Sequence, residues 1–134
     1  MGEVMQMKSY MFPCNLEKYD ILGSFLKNGF VDYGTNLNLE IGDVVYLYNG
    51  APYSAIFLKC QVRSTLDRKD TIDDTEFSKS EVKEKSKYVR LIPVKNYLSK
   101  IDLVSSDELS KHGVKGYSFQ IKLEDETVKY IENV

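Results

Sequence analysis

The sequence predicts a single α+β domain in which short strands alternate with short helices. Its 134 residues match the size of one ordinary domain. Hydrophobic residues make up 43% of the chain and charged residues 28%, a balance typical of a chain that folds around a core. Several hairpin signals separate the strand-like segments, which disfavours a parallel βαβ array. We therefore expect residues 1–134 to form one domain.

The N-terminal third predicts a strand, a helix and a second extended segment. Residues 6–12 alternate in hydrophobicity, and Pro13 is expected to end this strand. Asn15 is predicted to be the N-cap of a helix that Gly29 closes, and residues 30–33 follow as a short extended piece. The apolar residues that recur at helical spacing are Leu16, Tyr19, Leu22, Phe25 and Leu26.

The central segment predicts a β-hairpin. Residues 35–40 form a predicted loop, and residues 41–43 a tight turn in which Gly42 supplies a positive φ angle. Residues 44–48 are rich in β-branched and aromatic side chains, and Asn49-Gly50 is a strong turn signal after them. Residues 54–63 are the predicted partner strand. The alternation places these residues on one of its faces: Ile56, Leu58, Cys60 and Val62.

The C-terminal half predicts more strands and two short helices after a long polar segment. Residues 64–86 are almost wholly polar and predict a surface loop of a length that is usually functional or disordered. Residues 88–94 predict a strand, and residues 106–113 a short helix that ends at its glycine. A last strand is expected over 117–121 and a terminal helix over 124–132.

The net charge of −2 argues against a general polyanion binder, but the charge is unevenly distributed. Between residues 79 and 100, seven basic residues stand against two acidic ones. Such a stripe either tracks a phosphate backbone or forms an ordinary solvated face. The basic residues predicted to contact phosphates are Lys83, Lys85, Lys87 and Arg90.

The chain lacks the motifs of common enzymes. His112 is the only histidine, and with Cys14 and Cys60 as the only cysteines the ligands of a zinc site are missing. There is no glycine-rich phosphate loop and no nucleophile elbow. The carboxylate pair Asp73-Asp74 lies in the polar segment and predicts a solvated turn. We therefore expect a binding module without enzymatic activity, cofactor or metal.

Composition also predicts the compartment. No apolar run approaches the roughly 20 residues needed to cross a bilayer. The N-terminal sequence lacks the pattern of a secretory signal, and two cysteines do not make a disulfide framework. We expect a cytoplasmic protein with no membrane partner.

Short segments with recognisable residue patterns follow one another along nearly the whole chain. In order they are Phe12-Pro13-Cys14-Asn15, Val31-Asp32-Tyr33, Ile41-Gly42-Asp43-Val44-Val45-Tyr46-Leu47-Tyr48, Ala51-Pro52-Tyr53, Lys59-Cys60-Gln61-Val62, His112-Gly113-Val114-Lys115-Gly116 and Gln120. This ordered series resembles the EVE domain of the PUA-like superfamily. The likeness is strongest to EVE-type domains fused to HNH endonucleases in bacterial restriction systems.

The resemblance implies a mixed β-barrel flanked by short helices, with a cleft for a flipped or single-stranded base. Its ligands would be modified cytosines in DNA, 5-methylcytosine or 5-hydroxymethylcytosine, and an extruded base needs aromatic faces and a few polar groups. The base-pocket residues implied by position are Tyr33, Asn36, Tyr53, Gln120, Asn15 and Ser118. EVE pockets often have tryptophan where this chain has Tyr33, and this chain has no tryptophan.

Several alternatives stay open at this stage. Tyr46 and Tyr48 are more simply core residues of a half-buried sheet, and Cys14 and Cys60 small buried side chains. The function is a modified-base reader of a restriction system, an RNA-binding PUA-like module, a protein-interaction module in defence or counter-defence, or a small carboxylate enzyme. The chain has no HNH segment of its own, so cleavage would need a nuclease domain or partner.

Overall fold

Strand pairing in the computed structural model builds one mixed sheet, described for residues 7–16, 18–72 and 87–134. Within these residues the strand order is β2-β5-β4-β3-β1-β6. β1 and β3 are parallel, and the other neighbours are antiparallel. The strands are β1 (Ser9–Cys14), β2 (Val31–Gly34), β3 (Val44–Asn49), β4 (Ala55–Asp67), β5 (Lys87–Asn96) and β6 (Ile121–Lys122).

Three α-helices are described, and each is short. They are α1 (Ile21–Asn28), α2 (Ser106–Lys111) and α3 (Asp125–Glu132), and 3-10 segments cover Arg68–Asp70 and Leu98–Val104. The predicted helices over 106–113 and 124–132 are confirmed within two residues. In the described part of the chain, no helix has the length and apolarity needed to span a membrane.

The first helix begins later than predicted. Its N-cap is Asp20, whose carboxylate accepts from the Gly23 amide at 2.9 Å, and not Asn15. Asn15 instead opens a separate turn, in which its carbonyl accepts from the Tyr19 amide. This turn breaks the helical period, so Leu26 is 89% exposed although the spacing predicted an inward face. Gly29 closes the helix with φ 77°, as predicted.

Several strands extend beyond their predicted ends, among them β1 and β4. β1 continues through Pro13 to Cys14. β6 pairs only with Tyr10 and Met11, so β1 has no β6 partner at Pro13. A strand position that is paired on one side only tolerates proline. β4 continues to Asp67, which lies opposite Lys87 at the start of β5. Backbone pairing therefore makes strand out of residues 64–67, which polar composition alone predicted as loop.

The last predicted strand is mostly wrong. Only Ile121 and Lys122 pair with β1. Tyr117 lies outside the sheet, where its ring packs 4.8 Å from that of Tyr48 and its hydroxyl donates to the Ser106 carbonyl. Residues 73–86, the remainder of the predicted polar loop, lie outside the described residues.

Two hydrophobic clusters pack on the sheet. The first contains Phe12, Val45, Leu47, Cys60 and Leu91 among its buried residues. The second lies among residues of the sheet, the Leu98–Val104 segment, α2 and α3, and it contains Met11, Tyr46, Tyr48, Ile56, Tyr97, Leu109 and Ile131. The core positions predicted for Tyr46, Tyr48, Cys14 and Cys60 are confirmed.

A β-bulge divides the predicted inward face of β4. Leu58, Cys60 and Val62 pack in the first cluster, as the alternation indicated, but Ile56 packs in the second. The register shifts between Leu47 and Tyr48, which pair with Leu58 and Ile56. Phe57 is the extra residue of this bulge, and it reverses the alternation before Leu58.

Candidate nucleic-acid interface

Hydrogen bonds from side chains in and next to β2 and β6 connect the two edges of the sheet, which these two strands form. The Thr35 hydroxyl donates to Gln120 Oε1 at 2.6 Å, and Gln120 Nε2 donates to the Gly34 carbonyl at 2.9 Å. The Tyr33 hydroxyl donates to the Pro13 carbonyl at 2.6 Å. We call these five residues the closure seam. The seam curls the sheet towards a barrel and holds the loop after β2 in place.

Tyr33 has a structural role in the seam. Its ring packs against the first cluster, with its centroid 5.5 Å from that of Phe12. Burial raises the pKa of its phenol well above the usual value, and the nearby Cys14 thiol adds to the shift. One face of this ring is therefore used in packing, and its hydroxyl is already bonded.

An open pocket of about 450 Å³ lies beside the seam, along the loop that Thr35 begins. The loop forms one wall, and the end of β4 with its 3-10 turn and the start of β5 form the others. The lining residues are Thr35, Leu37, Asn38, Leu39, Thr65, Leu66, Asp67, Asp70, Lys87, Tyr88 and Val89. Thr35 thus connects the seam to the pocket, because it belongs to both.

The pocket lining combines apolar residues and one aromatic residue with hydrogen-bonding groups. Lys87 Nζ donates to Asn38 Oδ1 at 2.5 Å, which places the ammonium against the loop. Asp67 lies opposite Lys87 in the β4–β5 pair, and Asp70 follows three residues later. Tyr88 is the aromatic residue of the lining and is partly buried. The lining therefore has hydrogen-bond donors, acceptors and one aromatic residue around a single concave surface.

Of the four predicted phosphate contacts, two are described and they differ. Lys87 is exposed at the pocket. Arg90 forms a bidentate pair with Asp32, with Nε to Oδ1 at 2.8 Å and Nη2 to Oδ2 at 3.0 Å, and it lies 4.1 Å over the Phe30 ring. The hydrogen bond to Asp32 raises the pKa of Arg90. Arg90 therefore braces β5 against β2, and Lys83 and Lys85 lie outside the described residues.

The remaining predicted base-pocket residues occupy the surface around the seam. Asn36 is exposed in the loop between the seam and the pocket, and Ser118 is exposed two residues before Gln120. Tyr53 is 61% exposed in the β3–β4 loop, whose Gly50 amide bonds the Cys14 carbonyl next to Asn15. Within the described chain, the pocket lining contains none of the six predicted residues, and two of them, Tyr33 and Gln120, belong to the seam.

Except for Lys87, sequence reasoning missed the residues that line the pocket. Thr35, Asn38, Asp67 and Tyr88 come from three separate segments, and their approach depends on strand register. It also missed Phe119, whose side chain is 79% exposed between two predicted site residues. An aromatic residue in a polar setting before the last strand was the available signal.

The described groups that were considered for catalysis or metal binding have structural roles, and Asp73 and Asp74 lie outside the described residues. His112 caps α2, and its ring stacks on Tyr130 with centroids 3.6 Å apart. Cys14 Sγ donates to the Tyr48 carbonyl at 3.2 Å, and burial raises the pKa of Cys60 to about 12. Among the described residues, no group of three or more histidines, cysteines and carboxylates is placed to hold a metal ion.

Comparison with known proteins identifies the fold. No protein-family model matches the chain, and no curated protein matches it significantly. A variant of the ASCH protein from Zymomonas mobilis matches with a TM-score of 0.62 at 6% identity, over 95% of this chain and 98% of that one. Human THYN1, solved in complex with DNA containing 5-methylcytosine, matches with a TM-score of 0.61 at 10% identity, over 94% and 96%.

A further solved structure supports the same assignment. A protein from Agrobacterium tumefaciens matches with a TM-score of 0.60 at 11% identity, over 94% of this chain and 92% of that one. The likeness extends over almost the full length of each protein, while the sequences have diverged. The chain therefore has the PUA-like, EVE-type fold that these ASCH and THYN1 structures share.

Proposed function

We propose that this domain binds nucleic acid and captures one unstacked base in the pocket between the loop after β2 and the β4–β5 pair. The observation that carries the proposal is the pocket itself. Its volume of about 450 Å³ lies in the range of small-molecule sites. Its lining includes one aromatic residue, Tyr88, together with polar groups, three leucines and a valine.

The physical requirements of base capture match this lining. A base taken out of its stack loses its neighbours, so an aromatic face must replace them, and we assign this role to Tyr88, the aromatic residue of the lining. Its Watson–Crick edge also loses partners, which the Asn38 amide, the Lys87 ammonium and the Asp67 carboxylate replace. Stacking on one aromatic side chain contributes about 1–3 kcal/mol per base.

The THYN1 complex supports a modified cytosine in DNA as the ligand, because that protein was solved with 5-methylcytosine DNA and has the same fold. The apolar lining residues Leu37, Leu39, Leu66 and Val89 provide contacts for a 5-methyl group. RNA carrying the same base chemistry is the alternative. In this proposal the domain only binds, and cleavage of marked DNA would belong to a partner nuclease.

A binding panel tests the proposal. Fluorescently labelled single strands and duplexes with cytosine, 5-methylcytosine or 5-hydroxymethylcytosine at one position are titrated at fixed salt, beside matched RNA. We expect tighter binding to a modified cytosine, and weakening by about 1–3 kcal/mol in Tyr88→Leu. Tyr130→Leu is the matched control, because it removes a tyrosine ring from α3, and no residue of α3 lines the pocket. Equal, weak binding of every oligonucleotide by wild type and both variants contradicts the proposal.

A cleavage assay tests the non-catalytic part separately. Metal-assisted phosphodiester cleavage needs a positioned cation and an activated nucleophile. We expect no products when the protein is incubated with modified or unmodified DNA and magnesium, manganese or zinc. Cleavage that copurifies with the protein, and that is lost in Asp73→Ala or His112→Ala, would show that the domain is an enzyme.

A further inference from the structure

The described residues that line the pocket carry a net negative charge, which is unexpected for a site that binds nucleic acid. Among its described lining residues are two carboxylates, Asp67 and Asp70, and one cation, Lys87. Both aspartates are exposed residues of the pocket lining. A phosphate placed there would be repelled by two negative charges, so this lining suits a different part of the nucleotide.

We propose that Asp67 and Asp70 select an amino-bearing base of the cytosine class over thymine or uracil. This inference rests on the proposed function and assigns the two carboxylates a specificity role within the same pocket. A carboxylate only accepts hydrogen bonds, so two neighbouring carboxylates require donors on the ligand. The exocyclic amino group of cytosine has two N–H donors, and aspartate is a side chain that accepts from it in nucleic-acid recognition.

Lys87 supplies a hydrogen-bond donor beside these carboxylate acceptors. It lies opposite Asp67 in the β4–β5 register, and its bond to Asn38 keeps its ammonium on the pocket side of β5. An acceptor next to a donor complements the amino group and the adjacent ring nitrogen of cytosine. Thymine and uracil present a carbonyl oxygen at C4, where cytosine has its amino group. A carboxylate facing that oxygen would leave two acceptors opposed, and this costs binding energy.

The inference is tested on single-stranded DNA and RNA that differ only at one central base: cytosine, 5-methylcytosine, thymine or uracil, and an abasic site. Binding is measured for wild type, Asp67→Asn, Asp70→Asn and the control Asp102→Asn, which alters an exposed aspartate in the Leu98–Val104 segment. We expect wild type and the control to prefer cytosine over thymine by about tenfold. Asparagine can donate to the C4 carbonyl, so each pocket variant should lose most of that preference.

The outcomes separate the two proposals. Wild type that binds the abasic strand more weakly but has no preference for cytosine over thymine, or a preference that both pocket variants retain, overturns the selection by Asp67 and Asp70 and leaves base capture standing. Wild type that binds the abasic strand as tightly as the others, or that binds none of the oligonucleotides, overturns the proposed function and this inference with it. Thermal melting of each variant establishes that an exposed Asp→Asn change has left the fold intact.

Discussion

The Thr35 hydroxyl and the Gln120 amide, 85 residues apart in sequence, form a 2.6 Å hydrogen bond that connects the two edges of the sheet. Thr35 is 2% exposed, and its hydroxyl also accepts from the Leu37 amide at 3.0 Å. One side chain thus fixes both the closure of the sheet and the start of the loop that lines the pocket.

Removing the amide should therefore weaken the fold and the pocket together. We expect Gln120→Ala to lower the free energy of unfolding by about 1–3 kcal/mol. The substitution removes the hydrogen bonds that the Gln120 amide makes to the Thr35 hydroxyl and to the Gly34 carbonyl. Urea unfolding measures the change, and Ser118→Ala, at an exposed position two residues earlier, is the control. Equal stability of both variants would show that the seam contributes nothing to the fold.

The two predicted pocket tyrosines should behave differently. Tyr33→Phe removes the bond to the Pro13 carbonyl and should destabilise the fold by about 1 kcal/mol. Tyr53→Ala alters an exposed side chain and should leave the thermal melt unchanged. If Tyr53 stacks on a base, the same variant weakens nucleic-acid binding by about 1–3 kcal/mol. Wild-type affinity in a normally folded Tyr53→Ala protein would remove this residue from the interface.

Salt dependence should separate lysines that contact phosphates from Lys87, to which we assign a contact with the base. We expect Lys87→Gln to leave the log–log slope of affinity against salt close to that of wild type. If Lys83 and Lys85 contact phosphates, a variant that neutralises both should flatten the slope by about 0.7–0.9 for each lost contact. An unchanged slope in that variant would assign Lys83 and Lys85 to a solvated face, and a flattened slope in Lys87→Gln would make Lys87 a phosphate contact.

Arg90→Ala should act on stability, because it leaves the Asp32 carboxylate, which is 2% exposed, without its ionic partner. A loss of about 3 kcal/mol is expected in urea unfolding. Arg63→Ala, at an exposed position on β4, serves as the control. A stability loss no larger than that of the control would mean that the Asp32–Arg90 pair does not brace the sheet.

Alkaline pH should destabilise the protein through its buried thiols. Burial raises the pKa of Cys60 from 9.0 to about 12, so the unfolded chain loses this proton first as the pH rises. Below pH 9 both states hold the proton, and from about pH 9 to pH 12 the free energy of unfolding falls. Urea titrations across this window should show a shallower decline in Cys60→Ala. Rapid labelling of both thiols by a disulfide reagent at neutral pH in the native state would contradict their burial.

Local sequence determined the elements whose signals act over a few residues. Gly29 and Gly42 have the positive φ angles expected of a helix end and a tight turn. The β-branched and aromatic run at 44–48 became a fully buried strand, and the terminal helix lies within one residue of its prediction. These features follow from backbone conformation and hydrophobic periodicity, which neighbouring residues set. The ordered series of short segments also pointed to the PUA-like fold.

The pocket was decided only by tertiary structure. Asp67 and Lys87 are opposite each other because β4 and β5 pair in one register, and polar composition indicated no strand at 64–67. Arg90 became a structural residue because antiparallel pairing sets it opposite Asp32. Likewise, Gln120 meets Thr35 only when the sheet curls until its edges approach. Such contacts depend on strand order and curvature, which are properties of the whole sheet, so no local pattern encodes them.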